Sequence, residues 1–164
     1  MKPLSNASLT LFLVTFTLTY YCLGASFVEG FVNYRTWGLI GPDEFRAYHQ
    51  ALSPLIIRTM VIPIAIKSVL ILLLFWFRPL IIPRWAIVLA IAFDLLNWTS
   101  SVLIQIPIQI QLSDSGYSQA LLDKLIVTDW IRKISSIANA VLFFWLMIVL
   151  LKKMPLAGDP LKEK

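Results

Sequence analysis

Cysteine and histidine are almost absent from this chain, and each scarcity removes a class of chemistry. The 164 residues include one cysteine, Cys22, and one histidine, His49. A single thiol cannot form an internal disulfide or the paired-cysteine site of a thiol oxidoreductase. A single imidazole cannot supply a bis-histidine haem site or a His-rich metal site within one chain. We therefore expect neither a metal nor another cofactor.

Charged residues are also scarce. They make up 14% of the sequence, against about 25% in soluble domains. Hydrophobic residues make up 59%, which is more apolar surface than a soluble fold of this size can bury. The formal net charge of +5 does not indicate nucleic-acid binding, because the basic residues lie at the ends of apolar segments and form no stripe. The composition predicts an integral membrane protein in contact with the lipid bilayer.

Four apolar segments are long enough to cross about 30 Å of hydrocarbon, which takes roughly 20 residues each. Their approximate bounds are 9–28, 55–77, 85–107 and 134–151. Each must be helical, because unpaired backbone polar groups are not tolerated in lipid. Leu23-Gly24-Ala25 is a poor signal-peptidase site, so we expect the first segment to remain as a helix. We predict an all-α membrane protein, a four-transmembrane-helix bundle in which residues 1–164 form one membrane domain and 152–164 its C-terminal tail.

The connections between these segments predict the topology. Residues 78–84, RPLIIPR, form a short basic turn, whereas the other two connections, of roughly 25 residues each, share the opposite face. Both termini lie on the side of the short turn, and that side carries Lys2, Arg78, Arg84, Lys152, Lys153, Lys162 and Lys164. By the positive-inside rule, we predict cytoplasmic N- and C-termini.

The two long connections predict short amphipathic helices on the outer face. A Gly-Pro pair at 41–42 can begin one of them, and Ser53 can cap the second span that follows it. Ser118 can cap another short helix, and Thr128 can cap the fourth span. The sequence SDSG at 113–116 predicts a turn.

The segment IQIPIQIQL, residues 104–112, alternates apolar and polar residues as a half-buried strand does. It directly follows the third apolar segment, and a lone strand cannot end a membrane span. We therefore predict the bent outer end of a helix, in which Pro107 leaves the Leu103 carbonyl without its donor.

Polar side chains inside the spans are the strongest indicators of a site, because each is energetically expensive in lipid. Lys67 and Asp94 both lie roughly 18–20 Å from the outer ends of their helices, at 1.5 Å per residue. We predict that they form an ion pair, with Asn97 or Asn139 completing its hydrogen bonds. Two interpretations remain open: the pair only fixes the packing of the helices, or it belongs to an ion or proton path.

The third span also predicts a polar stripe that leads toward the outer face. At 100° per residue, Asp94, Trp98, Ser101, Gln105 and Gln109 share one side of this helix. Together with polar residues from the other spans, they predict an outward-facing polar and aromatic pocket whose candidate residues are Glu29, Asn33, Tyr34, Trp37, His49, Arg58, Trp98, Gln105, Gln109, Asp129, Trp130 and Arg132. An alternative interpretation assigns Trp37, Tyr48 and Trp130 to an interfacial aromatic belt. It also treats His49 as a hydrogen-bonded surface or interface histidine and lets Arg58 extend to the membrane surface.

Four motifs occur in order along residues 27–140: VNYRTWGLIGPDEFRAYHQALSP, a proline at position 63, WTSSVLIQIPIQIQL, and TDWIRK. In this order they resemble a bacterial family of small four-span membrane proteins of unknown function. The resemblance implies a four-helix membrane fold in a bacterial inner membrane, and it implies no particular reaction. A more distant likeness is to four-helix membrane proteins related to anthrone oxygenases, for which cofactor-independent oxidation is discussed.

The match to that family is incomplete at ionisable positions. Arg35 stands where the pattern has proline, Lys67 where it has glutamate, and Gln109 where it has histidine. Asp129 replaces an asparagine, and Asn139 replaces an arginine. The resemblance therefore implies the fold rather than a His-dependent activity. The matching positions are Tyr34, Gly41, Phe45, Tyr48, His49, Trp98, Gln105, Pro107, Trp130 and Arg132.

The sequence leaves three functions open. The first is binding of a lipid, quinone or other small amphiphile in the outward-facing pocket. The second is an outer-leaflet membrane enzyme in which His49 acts as acid or base while Arg58 and Arg132 hold an anionic or carbonyl group. The third is a small transporter subunit that works as a homo-oligomer and depends on Lys67 and Asp94.

Overall fold

The computed structural model describes residues 6–153, and this part of the chain consists of four long helices without a strand. The helices are α1 (Asn6–Leu39), α2 (Pro42–Phe77), α3 (Arg84–Ser115) and α4 (Gln119–Lys153), and each is long and apolar enough to cross a membrane. The predicted all-α four-helix fold is confirmed, and the helices indicate a multi-pass membrane protein in contact with lipid. Lys2 and residues 154–164 of the predicted tail, which include Lys162 and Lys164, lie outside the described residues.

Short connections make consecutive helices antiparallel neighbours. Residues 40–41 join α1 to α2, residues 78–83 join α2 to α3, and residues 116–118 join α3 to α4. The first helix also packs against the fourth, which closes the bundle. The end of the bundle that contains residues 78–83 is termed the turn end, and the opposite end is termed the loop end.

The helices are continuous at the loop end, which corrects the predicted separate amphipathic helices. Ser53 and Thr128 were expected to cap helix starts, but both lie inside helices. Ser53 Oγ donates to the carbonyl of His49 at 2.8 Å, and Thr128 Oγ1 donates to the carbonyl of Lys124 at 2.7 Å. Hydroxyls that bond to the carbonyl four residues earlier are compatible with an uninterrupted helix. The loop end therefore extends the bundle instead of lying along the membrane surface.

The other predicted helix boundaries at the loop end agree better with the structure. Gly41 precedes α2 as its N-cap, with proline at the first helical position. Ser118 precedes α4, and its Oγ accepts a hydrogen bond from Leu121 N at 3.5 Å. The turn predicted at 113–116 begins later than expected, because α3 continues to Ser115 and ends at Gly116, whose φ is 83°.

Each of α1, α2 and α3 contains one π-helical turn, at Glu29–Asn33, Ile57–Val61 and Ser101–Gln105 respectively. The turn in α3 overlaps the alternating segment at 104–112, which is helical as predicted. A π turn inserts one residue and brings side chains five positions apart onto one face. Accordingly, Ser100 Oγ donates to Gln105 Oε1 at 3.1 Å.

The interior of the bundle has three layers along its axis. An apolar cluster occupies the turn end and includes Phe12, Ile71, Leu74, Ala86, Ile87, Ala90, Phe143 and Leu146. A second cluster occupies the loop end and contains Tyr34, Trp37, Phe45, Ile108, Leu112, Leu122 and Leu125. Between them along the helices lie buried polar residues, here termed the polar layer: Glu29, Lys67, Asp94, Asn97, Gln105, Asp129, Arg132, Lys133 and Asn139.

Candidate functional site

A cavity of about 580 Å³ lies where the polar layer meets the loop-end cluster. Its volume falls within the roughly 300–1,000 Å³ that is usual for small-molecule sites. Its polar lining, here termed the polar wall, includes Glu29, Tyr34, His49, Gln105, Gln109 and Arg132. Its apolar lining on α2, here termed the apolar wall, includes Leu52, Ile56, Met60 and Val61. A cavity with these two walls suits a ligand that has a polar part and an apolar part.

The cavity opens through the cleft between α2 and α3. The exposed residues among those that line it are Ile57 of α2 and Ile106, Ile110 and Asp114 of α3. The three isoleucines are 43–55% exposed. Because these exposed side chains are apolar, this part of the opening is suited to contact with lipid.

All three π turns contribute residues to the cavity. Glu29 comes from the turn in α1, Met60 from the turn in α2, and Gln105 from the turn in α3. Glu29 and Tyr34 are five residues apart and line the same cavity, as the widened turn between them allows. Such turns are frequent at functional sites, so their convergence on this cavity supports a binding role for it.

A chain of hydrogen bonds crosses the polar wall. His49 Nε2 lies 2.7 Å from Gln109 Oε1, and His49 Nδ1 lies 2.8 Å from Ser113 Oγ. The amide oxygen can only accept, so Nε2 carries a hydrogen, and the neutral ring accepts the Ser113 hydroxyl hydrogen at Nδ1. Gln109 Nε2 in turn donates to Tyr34 Oη at 3.3 Å. Both ring nitrogens of His49 are therefore occupied within the protein.

The polar wall retains unused hydrogen-bonding positions. Tyr34 Oη accepts from Gln109 and, at 3.1 Å, from Arg132 Nη2, which leaves its own hydrogen to donate. Glu29 accepts from Asn33 Nδ2 at 2.6 Å through one of its two oxygens. Among the described residues, neither the other Glu29 oxygen nor Arg132 Nη1 has a hydrogen-bond partner. At the polar wall, Tyr34 and Arg132 can therefore each donate a further hydrogen bond, and Glu29 can accept one.

A compact charged cluster supports the polar wall from behind. The fully buried Asp129 binds Arg132, with Arg132 Nε at 2.8 Å from Asp129 Oδ1, and it also binds Lys133 through its other oxygen. The ammonium group of Lys133 lies 4.6 Å from the centre of the Phe31 ring, which shields its outer side. A Cβ on Gly30 would collide with side-chain atoms of both Lys133 and Asp129. A larger residue at position 30 would therefore force the Lys133 ammonium and the Asp129 carboxylate to shift.

Seven of the twelve candidate pocket residues line the cavity, namely Glu29, Tyr34, Trp37, His49, Gln105, Gln109 and Arg132. Trp37 is 1% exposed, so its assignment to an interfacial belt is wrong. The other five do not line the cavity. Asn33 and Asp129 hold Glu29 and Arg132 in place, whereas Arg58 and Trp130 are exposed outside it. Trp98 Nε1 donates instead to Ser68 Oγ of α2 at 2.8 Å.

The apolar wall was not predicted from the sequence. Leu52, Ile56 and Met60 follow one another at intervals of four and line the cavity from one face of α2. That spacing is visible in the sequence, but it does not distinguish a cavity wall from a packed or lipid-facing surface. Ser113, Lys133 and Gly30 were also not predicted from the sequence. Each contributes to the site only through its contact with another residue of the site, and that contact is not evident from the sequence.

The predicted ion pair is present in the polar layer. Lys67 Nζ lies 2.7 Å from Asp94 Oδ1, and the two side chains are 6% and 8% exposed. The expectation that Asn97 or Asn139 completes the pair is wrong. Asn97 Nδ2 donates to Ser136 Oγ at 2.8 Å, and Asn139 Nδ2 donates to a backbone carbonyl of α3 at 3.4 Å. These amides face the α3–α4 interface, so they join the two helices instead.

A second, much smaller cavity connects this pair to the charged cluster. It measures about 10 Å³, and its lining includes Lys67, Asn97 and Arg132. That volume holds about one water molecule. Beyond the ion pair, toward the turn end, the next buried side chains of α2 and α3 are Ile71 and Ala90 of the apolar cluster. Thr15 and Thr19 of α1 are buried as well, but their hydroxyls bond to carbonyls of their own helix. Within the described residues, no charged side chain is buried beyond the ion pair toward the turn end.

Comparisons with protein-family models, with curated proteins and with solved structures find no match for this chain. The functional interpretation therefore depends on the geometry of the site. That geometry combines a cavity of ligand size, a polar wall with unused donors and an unused acceptor, and a lateral opening bordered by isoleucines. These features suit the binding of an amphiphile from the membrane.

Proposed function

We propose that this protein binds a small amphiphile in the cavity, with the head group at the polar wall and the apolar tail along the apolar wall. The observation that carries this proposal is the combined polar and apolar lining of the 580 Å³ cavity, together with its opening between α2 and α3. The exposed isoleucines at that opening let a tail extend into the bilayer without meeting a polar barrier.

Two features favour binding over the other functions. In serine–histidine sites a carboxylate bonds the second ring nitrogen and stabilises the protonated imidazole, but among the described residues the His49 ring bonds only Gln109 and Ser113. A transport path needs polar groups that lead to both faces, whereas the apolar cluster follows the Lys67–Asp94 pair toward the turn end. A ligand site that is closed at its inner end fits both features.

Filling the cavity is expected to abolish ligand binding. In Ile56→Trp the larger side chain occupies the apolar wall, so affinity should fall at least about tenfold, equivalent to ~1.4 kcal/mol. Leu55→Trp is the matched control, because Leu55 is the neighbouring residue of α2, is 55% exposed and does not line the cavity. The measurement is saturable quenching of tryptophan fluorescence by a monoglyceride with a brominated tail, corrected for the added tryptophan. Equal affinities of the two variants would refute this site.

The orientation in the membrane is proposed as well: both termini are cytoplasmic, and the protein resides in a bacterial inner membrane. Arg78 and Arg84 at the turn end support this orientation through the positive-inside rule. In a Cys22→Ser background, Glu44→Cys at the loop end should react with an impermeant maleimide in intact spheroplasts. Leu80→Cys, exposed at the turn end, should react only after lysis. The reverse labelling pattern would contradict the orientation.

A further inference from the structure

The ionisable side chains at the polar wall and directly behind it have formal charges that cancel. Arg132 and Lys133 carry two positive charges, while Glu29 and Asp129 carry two negative charges. All four are buried, with exposures of 8, 3, 3 and 0%. Asp129 binds both cations, whereas Glu29 forms no salt bridge within the described residues and lines the cavity. Without the charge of Glu29, the cluster would bury one uncompensated positive charge.

This balance constrains the head group of a ligand. A charged head would enter a region that is already neutral and largely removed from water, where an uncompensated charge is unfavourable. Asp114 does not alter the balance, because it is exposed at the cleft, where water and salt screen it. The unused positions at the polar wall suit an uncharged head instead. Tyr34 Oη and Arg132 Nη1 can donate to an oxygen, and Glu29 can accept from a hydroxyl.

The geometry points to an uncharged amphiphile with a hydroxyl or carbonyl head as the ligand, and to Glu29 as the residue that sets this selectivity. The inference rests on the proposed function, since it specifies the ligand class of the same cavity. It makes a directional claim: removing the negative charge of Glu29 leaves the cluster with one excess positive charge, so the preference should move toward an anionic head.

Three ligands with the same tail isolate the effect of head charge: lauryl alcohol, laurate and laurylamine. Near neutral pH laurate is anionic and laurylamine is cationic. Each competes with the brominated monoglyceride in the fluorescence assay. For the unmodified protein, lauryl alcohol should bind at least about tenfold more tightly than either charged ligand. In Glu29→Gln, which can still accept the hydrogen bond from Asn33, laurate should gain about tenfold relative to the alcohol. Glu44→Gln, at an exposed position of α2, should behave as the unmodified protein does.

The outcomes separate this inference from the proposed function. If laurate or laurylamine binds the unmodified protein as tightly as the alcohol, the inferred selectivity for an uncharged head group is wrong, while the cavity remains a ligand site. The same conclusion follows if Glu29→Gln leaves the affinity of laurate relative to lauryl alcohol unchanged. If the brominated monoglyceride itself shows no saturable binding, the proposed function fails too. The order of the three ligand affinities on the unmodified protein tests the selectivity for an uncharged head group even if Glu29→Gln does not fold.

Discussion

Lys67→Met and Asp94→Leu are each expected to lower the free energy of unfolding by about 3–5 kcal/mol, because each leaves the other buried charge without its partner. The two atoms of the pair lie 2.7 Å apart in the polar layer, and among the described residues no other oppositely charged group lies close enough to replace either one. The double variant Lys67→Met/Asp94→Leu removes both charges and should lose less stability than either single variant. SDS-titrated unfolding followed by circular dichroism measures all three.

The control for this cycle is Arg58→Met, which removes a cation from an exposed position of the same helix. Its unfolding free energy should change by less than about 0.5 kcal/mol. If the single variants are as stable as the double variant, the two side chains are not energetically coupled, and the ion pair does not hold α2 against α3.

Gly30→Ala is expected to lower the free energy of unfolding by about 1–3 kcal/mol. The added Cβ would occupy space taken by the side chains of Lys133 and Asp129, and overpacking of this kind is destabilising even without a charged group nearby. Separating the buried Asp129–Lys133 pair contributes to that cost. The same substitution should weaken ligand binding, because Asp129 also holds Arg132 at the polar wall.

Gly24→Ala is the matched control for Gly30→Ala. Gly24 lies in the same helix, and nothing lies within 4 Å of a Cβ built there. Replacing a helical glycine with alanine at an open position is expected to leave stability unchanged or raise it by up to about 1 kcal/mol. Equal effects of the two substitutions would show that the charged cluster does not depend on close approach at position 30.

The sequence predicted those parts of the site that are unusual for a membrane span. Lys67 and Asp94 were paired correctly because charges at that depth are expensive and have few ways to be compensated. Tyr34 and His49 were placed at the pocket because polar residues near one end of several helices must meet in a bundle. In each case, a polar or charged side chain within an apolar helix has few polar groups that it can contact.

The remaining features could not be predicted because they depend on packing between helices. The turns at Glu29–Asn33, Ile57–Val61 and Ser101–Gln105 have no residue signature, and they shift the helical register that a constant 100° per residue assumes. Ser53 was misread as a helix start because a Ser-Pro pair occurs at many helix ends, whereas here its hydroxyl bonds within the helix. The apolar wall could not be identified from the sequence, because an isoleucine can face lipid, the protein core or a cavity equally well.

The most direct test of the binding function is native mass spectrometry of the full-length protein after gentle extraction from its own membrane. A cavity that holds an amphiphile predicts a bound species on the unmodified protein and on Leu55→Trp, and its loss from Ile56→Trp, whose added side chain occupies the apolar wall. Fragmentation of the bound species should yield an uncharged head group. If the unmodified protein carries nothing, or if Ile56→Trp retains the same species, the cavity between α2 and α3 is not a ligand site.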